Sequence, residues 1–142
     1  MANYKKPLSR LETKSTYKKP LDKVEANKPT RYYSSKQEKA VASAVGGRKT
    51  PNSGATPNVK GDVLTQKWLM ECKTCTKKQQ SFTMQKEWFD KNKQESNFMN
   101  KDYSAVVFNF GPNEPNIYCI DEILFKRMMY ALELLDQQEE DE

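Results

Sequence analysis

The chain has 142 residues, 36% of them hydrophobic, with a mean hydropathy of -0.96, which suits one domain with a modest core and excludes a core running the full length. Its net charge of +5 is uneven: residues 1–60 carry 14 Lys+Arg against 4 Asp+Glu, and residues 61–142 carry 10 against 15. There is no histidine, so a Ser-His-Asp triad, a Cys-His pair and a Cys2His2 zinc site are all excluded, leaving carboxylates, Lys, Tyr or a hard metal ion for any hydrolytic chemistry.

The basic first half points to a polyanion such as nucleic acid, or else to a solubilising tail. Residues 1–33 read as a polar arm rich in Lys, Pro, Thr and Tyr. A duplication lies within it: YKKPLSRLE at Tyr4–Glu12 returns as YKKPLDKVE at Tyr17–Glu25, with six of nine positions identical. Three readings stay open. The repeat is a phosphate-binding peptide, with Lys5, Lys6, Lys18 and Lys19 on phosphates and Tyr4 and Tyr17 stacking on bases; or it docks a protein partner; or it has no function. The arm has no apolar h-region, and no run of about 18 apolar residues follows anywhere, so the expected location is cytoplasmic, with no membrane partner.

Residues 34–46 read as a helix capped by Ser34 or Ser35 and stopped by Gly46-Gly47, with Ala40, Val41, Ala44 and Val45 as its apolar stripe. Residues 48–61 read as a loop. A β-hairpin follows, with strands near Asp62–Thr65 and Trp68–Thr74. Residues 84–97 read as a helix capped by Thr83, with Met84, Trp88 and Phe89 inward. Ala105–Phe110 is an apolar, central strand, Gly111–Asn116 a turn and Ile117–Ile120 a returning strand. Asp121 caps a last helix whose Leu124, Met128, Ala131, Leu132 and Leu135 share a face. Glu139–Glu142 form an acidic, frayed tail. The expected fold is α/β or α+β: a basic arm over 1–33, a domain over 34–138 with a small mixed sheet flanked by helices, and the tail.

The candidate chemistry lies at Asp62 and Glu71-Cys72-Lys73. Residues i and i+2 of a strand share a face, so Glu71 and Lys73 project together while Cys72 turns into the sheet. A hairpin brings Asp62 beside Glu71. Two carboxylates and the Cys72 carbonyl then supply oxygen ligands for Mg2+ or Mn2+, and Lys73 orients a water or stabilises charge. Cys72 and Cys75 make a lone C-x-x-C without the second pair that a four-thiolate zinc site needs. The plainer readings are an ordinary turn residue at Asp62 and a solvated pair at Glu71 and Lys73.

SGATPNVKGDV followed by LMECKT resembles the core of PD-(D/E)XK nucleases, and within them archaeal and phage Holliday junction resolvases. The likeness spans roughly residues 34–110 and includes the SFTMQKEWFDK helix. Its elements are an upstream helical Glu38, Ser53-Gly54, Gly61-Asp62 and Glu71-x-Lys73. Asn58-Val59-Lys60 departs from the pattern, since no proline directly precedes Asp62. The resemblance implies a restriction-endonuclease-like core and a metal-dependent endonuclease acting on branched DNA as a homodimer. It implies catalytic roles for Asp62, Glu71, Lys73 and Glu38, with metal ligation by Asp62, Glu71, Glu38 and the Cys72 carbonyl. Arg48, Lys49 and Ser53 are candidate DNA contacts. Glu38 reads equally as a surface helix residue, and Ser53 as a loop cap. The alternatives are a less selective nuclease, or a non-catalytic nucleic-acid-binding or phage-assembly protein on a nuclease-derived fold.

Overall fold

The computed structural model describes residues 28–50 and 61–141. Helix α1 spans Thr30–Val45, and strands β1 (Arg48–Lys49), β2 (Val63–Leu64) and β3 (Trp68–Lys73) follow. Helix α2 (Lys86–Phe98) crosses to β4 (Tyr103–Phe108), and β5 (Ile117–Cys119) leads into α3 (Glu122–Glu140). The strands form one mixed sheet in the order β1-β2-β3-β4-β5. Only β3 and β4 run parallel, because only they are joined by a helical crossover; the other neighbours are antiparallel. The result is the expected α+β fold with a small mixed sheet.

α1 starts at Thr30, four residues before the expected position. Pro29, with φ −65° and ψ 155°, stands at its N-cap, and no side chain caps it. Ser34 lies inside the helix, where its hydroxyl donates to the Thr30 carbonyl at 3.3 Å. The cause is tertiary: Tyr33, Gln37 and Val41 form the buried stripe, so Tyr33 belongs to the core. At the other end the two glycines do different work. Gly46 takes the left-handed C-cap at φ 66°, while a side chain on Gly47 would run into the Leu64 carbonyl at 2.7 Å. This close approach allows residues 48–49, expected to be loop, to pair with β2.

One face of the sheet packs Val63, Met70, Ala105 and Val107 against Val41 of α1. The opposite face carries Leu69 and Val106, both buried, and is crossed by α2. α2 begins at Lys86 after Gln85, not after a Thr83 cap. Its fully buried residues are Asn92 and Ser96, whereas Trp88 and Phe89 are half-buried. Two polar residues face inward because the underlying sheet offers carbonyls: the Asn92 amide donates to Leu69 O at 3.3 Å and Ala105 O at 3.0 Å. α3 is capped as expected, with the Asp121 carboxylate accepting from Leu124 N at 2.8 Å. The described residues do not cover its expected inward face. Leu124 alone is buried, and the helix continues through Glu139 and Glu140.

Candidate active site

Asp62 is held by backbone on both sides. Its N–H donates to Met70 O at 3.0 Å, and its carbonyl accepts from Thr50 N at 2.9 Å. The buried Thr50 hydroxyl donates to Gly61 O at 2.6 Å, fixing the residue before it. Gly61 has φ 72°, and a Cβ there would lie 2.6 Å from a Leu69 methyl, so the sharp approach to Asp62 needs glycine. The β2–β3 register pairs Val63 with Met70. The Asp62 N–H bonds to that same Met70, so Asp62 sits at an irregular position just before the ladder and not directly opposite Glu71. The Asp62 carboxylate then accepts from Cys72 N at 2.8 Å, taking the place of the next ladder carbonyl. The Cys72 carbonyl shares that strand edge with its N–H.

Glu71 and Lys73 form an ion pair at 3.1 Å, and the Lys73 ammonium also sits over the Trp88 ring, 4.7 Å from its centre. Glu38 pairs with Lys49 at 3.1 Å, and Lys49 also donates to the Ser35 hydroxyl at 2.9 Å. Burial raises the pKa of Glu71, the Asp62 charge raises it further, and Lys73 partly offsets both. Burial likewise raises Glu38, with Lys49 lowering it and Asp62 raising it. The Cys72 thiol is pushed far up by burial first, then by the charges of Asp62, Glu38 and Glu71. Negative charge from α1, the residue before β2, and β3 therefore converges around Cys72.

This donor set is all oxygen, the class that Mg2+ and Mn2+ take, and the mutual repulsion of its carboxylates is what a divalent cation relieves. In that chemical sense the residues fit a hard cation. Their side chains are turned elsewhere, however: Glu71 to Lys73, Glu38 to Lys49, and Asp62 to the Cys72 N–H. Among the described residues no three His, Cys, Asp or Glu side chains are grouped to hold a metal ion.

Several positioning residues escape a pattern-based reading. Gln37, 4% exposed, donates to Lys73 O at 2.8 Å and to Asn116 Oδ1 at 3.3 Å. Asn109 donates to the same Asn116 oxygen at 3.2 Å and accepts from the Thr74 hydroxyl at 2.7 Å. Together these amides anchor the end of β3 that carries Lys73. The signal for Gln37 is its place between Tyr33 and Val41, a polar residue in an apolar stripe. Cys72 packs against the core cluster, as expected, and the Cys75 thiol donates to Lys77 O at 3.2 Å. Of the candidate DNA contacts, Arg48 and Lys49 are exposed on β1, with Lys49 bound to Glu38. Ser53, Lys5, Lys6, Lys18 and Lys19 lie outside the described residues. No described helix is long and apolar enough to cross a membrane.

Compared with known proteins, the chain matches no family model, no curated protein and no solved structure.

Proposed function

We propose that the protein is a metal-dependent phosphodiesterase of the nuclease class. More particularly, it is a structure-selective endonuclease for branched DNA that works as a homodimer, one copy for each strand nicked. The observation that supports the reading is the convergence of carboxylates: Asp62 bonds to Cys72 N at 2.8 Å, its charge acts on both Glu71 and Glu38, and Lys73 pairs with Glu71. Asp62, Glu71 and the Cys72 carbonyl would hold Mg2+ or Mn2+, with Glu38 beside them. The bound ion supplies Lewis acidity toward a phosphoryl oxygen and lowers the pKa of a coordinated water. Lys73 donates toward the phosphate, where negative charge grows as water adds to phosphorus and the P–O ester bond breaks. Trp88 limits where that ammonium can go. The basic residues before position 61 attract the DNA that the acidic site repels.

A non-catalytic nucleic-acid-binding protein is the second reading. It is favoured by the pairing of Glu71 and Glu38 with lysines. One experiment separates the two: a four-way junction and a matched linear duplex, each incubated with and without Mg2+ or Mn2+. Metal-dependent cleavage of the junction, lost in Asp62→Asn and Glu71→Gln, is the expected result. Binding of the junction with no cleavage under either metal refutes the nuclease.

A further inference from the structure

α3 extends well beyond the contacts that hold it. Of its 19 residues only Leu124 is buried, while Ile123 and Tyr130 are 72% and 65% exposed. On another side of the helix, Phe125, Met128, Met129 and Leu132 form one wall of an open groove of about 530 Å³, whose opposite wall includes Trp68 and Ile120. A helix this poorly packed gains little stability from its own domain. Contiguous apolar surface of this kind marks a place where something else binds.

The charges on α3 indicate what binds. Its first half carries Lys126 and Arg127 against Glu122, and its second half carries Glu133, Asp136, Glu139 and Glu140 with no cation. Those last acids stand at the negative end of the helix dipole, where they are disfavoured in isolation. Laid antiparallel on a second copy of itself about its midpoint, Lys126 of each copy stands level with Asp136 of the other with Arg127 adjacent, and each acidic end meets the positive end of its partner's dipole, although Glu122 then stands level with Glu140. A parallel arrangement would put acid on acid. The helix is therefore its own complement about a two-fold axis near Ala131, the midpoint of its span. We infer that α3 is the dimerisation element, pairing antiparallel with α3 of a second copy so that apolar side chains from the partner fill the groove. This deepens the two-copy part of the proposed function without resting on the active-site residues.

Sedimentation velocity on the full chain, without DNA or metal, tests it. The wild-type protein should sediment as a dimer at micromolar concentration. Lys126→Glu/Arg127→Glu should raise Kd on the order of tenfold, because each exposed ion pair contributes a factor of a few and the two-fold axis counts it twice. Adding Glu133→Lys/Asp136→Lys should restore dimerisation, since the complementarity is then reversed on both sides. Because Arg127 also donates to the Tyr103 hydroxyl at 3.4 Å, Lys126→Glu alone is run in parallel and should shift Kd in the same direction. A monomer at every concentration overturns the inference, as does a dimer indifferent to the charge reversal or a charge swap that fails to restore it. A monomer that associates only after residues 1–27 are removed also overturns it, by assigning the groove to the chain's own N-terminal segment. Junction cleavage is scored separately, so a failed dimer and a failed nuclease give different results.

Discussion

Asp62 has two roles that two substitutions separate. Its carboxylate accepts the Cys72 N–H at 2.8 Å, and its charge raises both Glu71 and Glu38. Asp62→Ala removes the acceptor and leaves a half-buried N–H at the end of the β2–β3 ladder. A hydrogen bond to a charged group contributes roughly 1.5–3 kcal/mol, and relief of the repulsion with Glu71 and Glu38 returns part of that, so the net loss is about 1–2 kcal/mol. For a domain of this size that lowers Tm by roughly 5–10 °C. Asp62→Asn keeps an acceptor oxygen and removes the charge, and should melt within about 0.5 kcal/mol of wild type, since a neutral bond is weaker but the repulsion is gone. Both variants should lose junction cleavage. Circular dichroism melts in chelating buffer, alongside a junction-cleavage assay, read both roles. Equal melting of wild type and Asp62→Ala would refute the structural role, and near-wild-type cleavage by Asp62→Asn would refute the catalytic one.

Other expectations follow from neighbouring geometry. Glu71 is raised from its ordinary 4.5 chiefly by burial, so its share of stability is present below that pH and lost as pH rises through the folded value. Glu71→Gln should therefore melt higher than wild type at neutral pH without metal, with the gain vanishing below about pH 4.5; a variant that melts lower at pH 7 contradicts this. Gly61→Ala should cost about 2–4 kcal/mol in urea unfolding, from its φ of 72° and the clash with Leu69, and an unchanged midpoint would show that the turn relaxes freely. Gln37→Leu should cost roughly 1–3 kcal/mol by leaving the Lys73 carbonyl without its donor, and should slow cleavage without altering DNA affinity. Deleting residues 1–27, which spares Tyr33, should flatten the salt dependence of DNA binding by about 0.9 for each phosphate that is no longer neutralised; an identical slope would assign the basic segment to another partner.

The hairpin is readable in the sequence because its signal is local. Asp62, the strand beginning at Trp68 and the i, i+2 spacing of Glu71 and Lys73 need no distant partner to be recognised. Asp121 is equally plain as a cap, and Gly46 as a stop. What pattern does not supply depends on residues far apart in the chain. Tyr33 reads as part of a polar arm because its burial comes from the folded core. Asn92 and Ser96 are polar residues that no apolar pattern marks as inward, yet carbonyls of the sheet draw them there. Lys49 reads as a phosphate contact, but Glu38, on a different element, comes within 3.1 Å of it. The apolar stripe of α3 is visible, but periodicity shows that a face is apolar and not what covers it.

Among the described residues the sheet ends in a two-residue strand on one side and a three-residue strand on the other, β1 and β5. An edge that short offers few free backbone groups to an incoming strand, and β1 carries the charged pair Arg48 and Lys49 as well. The apolar groove beside α3 borders β5 through Tyr118, but it presents side chains and not a long row of free backbone groups. A sticky edge accepts strand after strand and grows into fibres, whereas a helix that complements itself about an axis is saturated by one copy. Crowding this protein should therefore fill a finite assembly before it seeds an endless one.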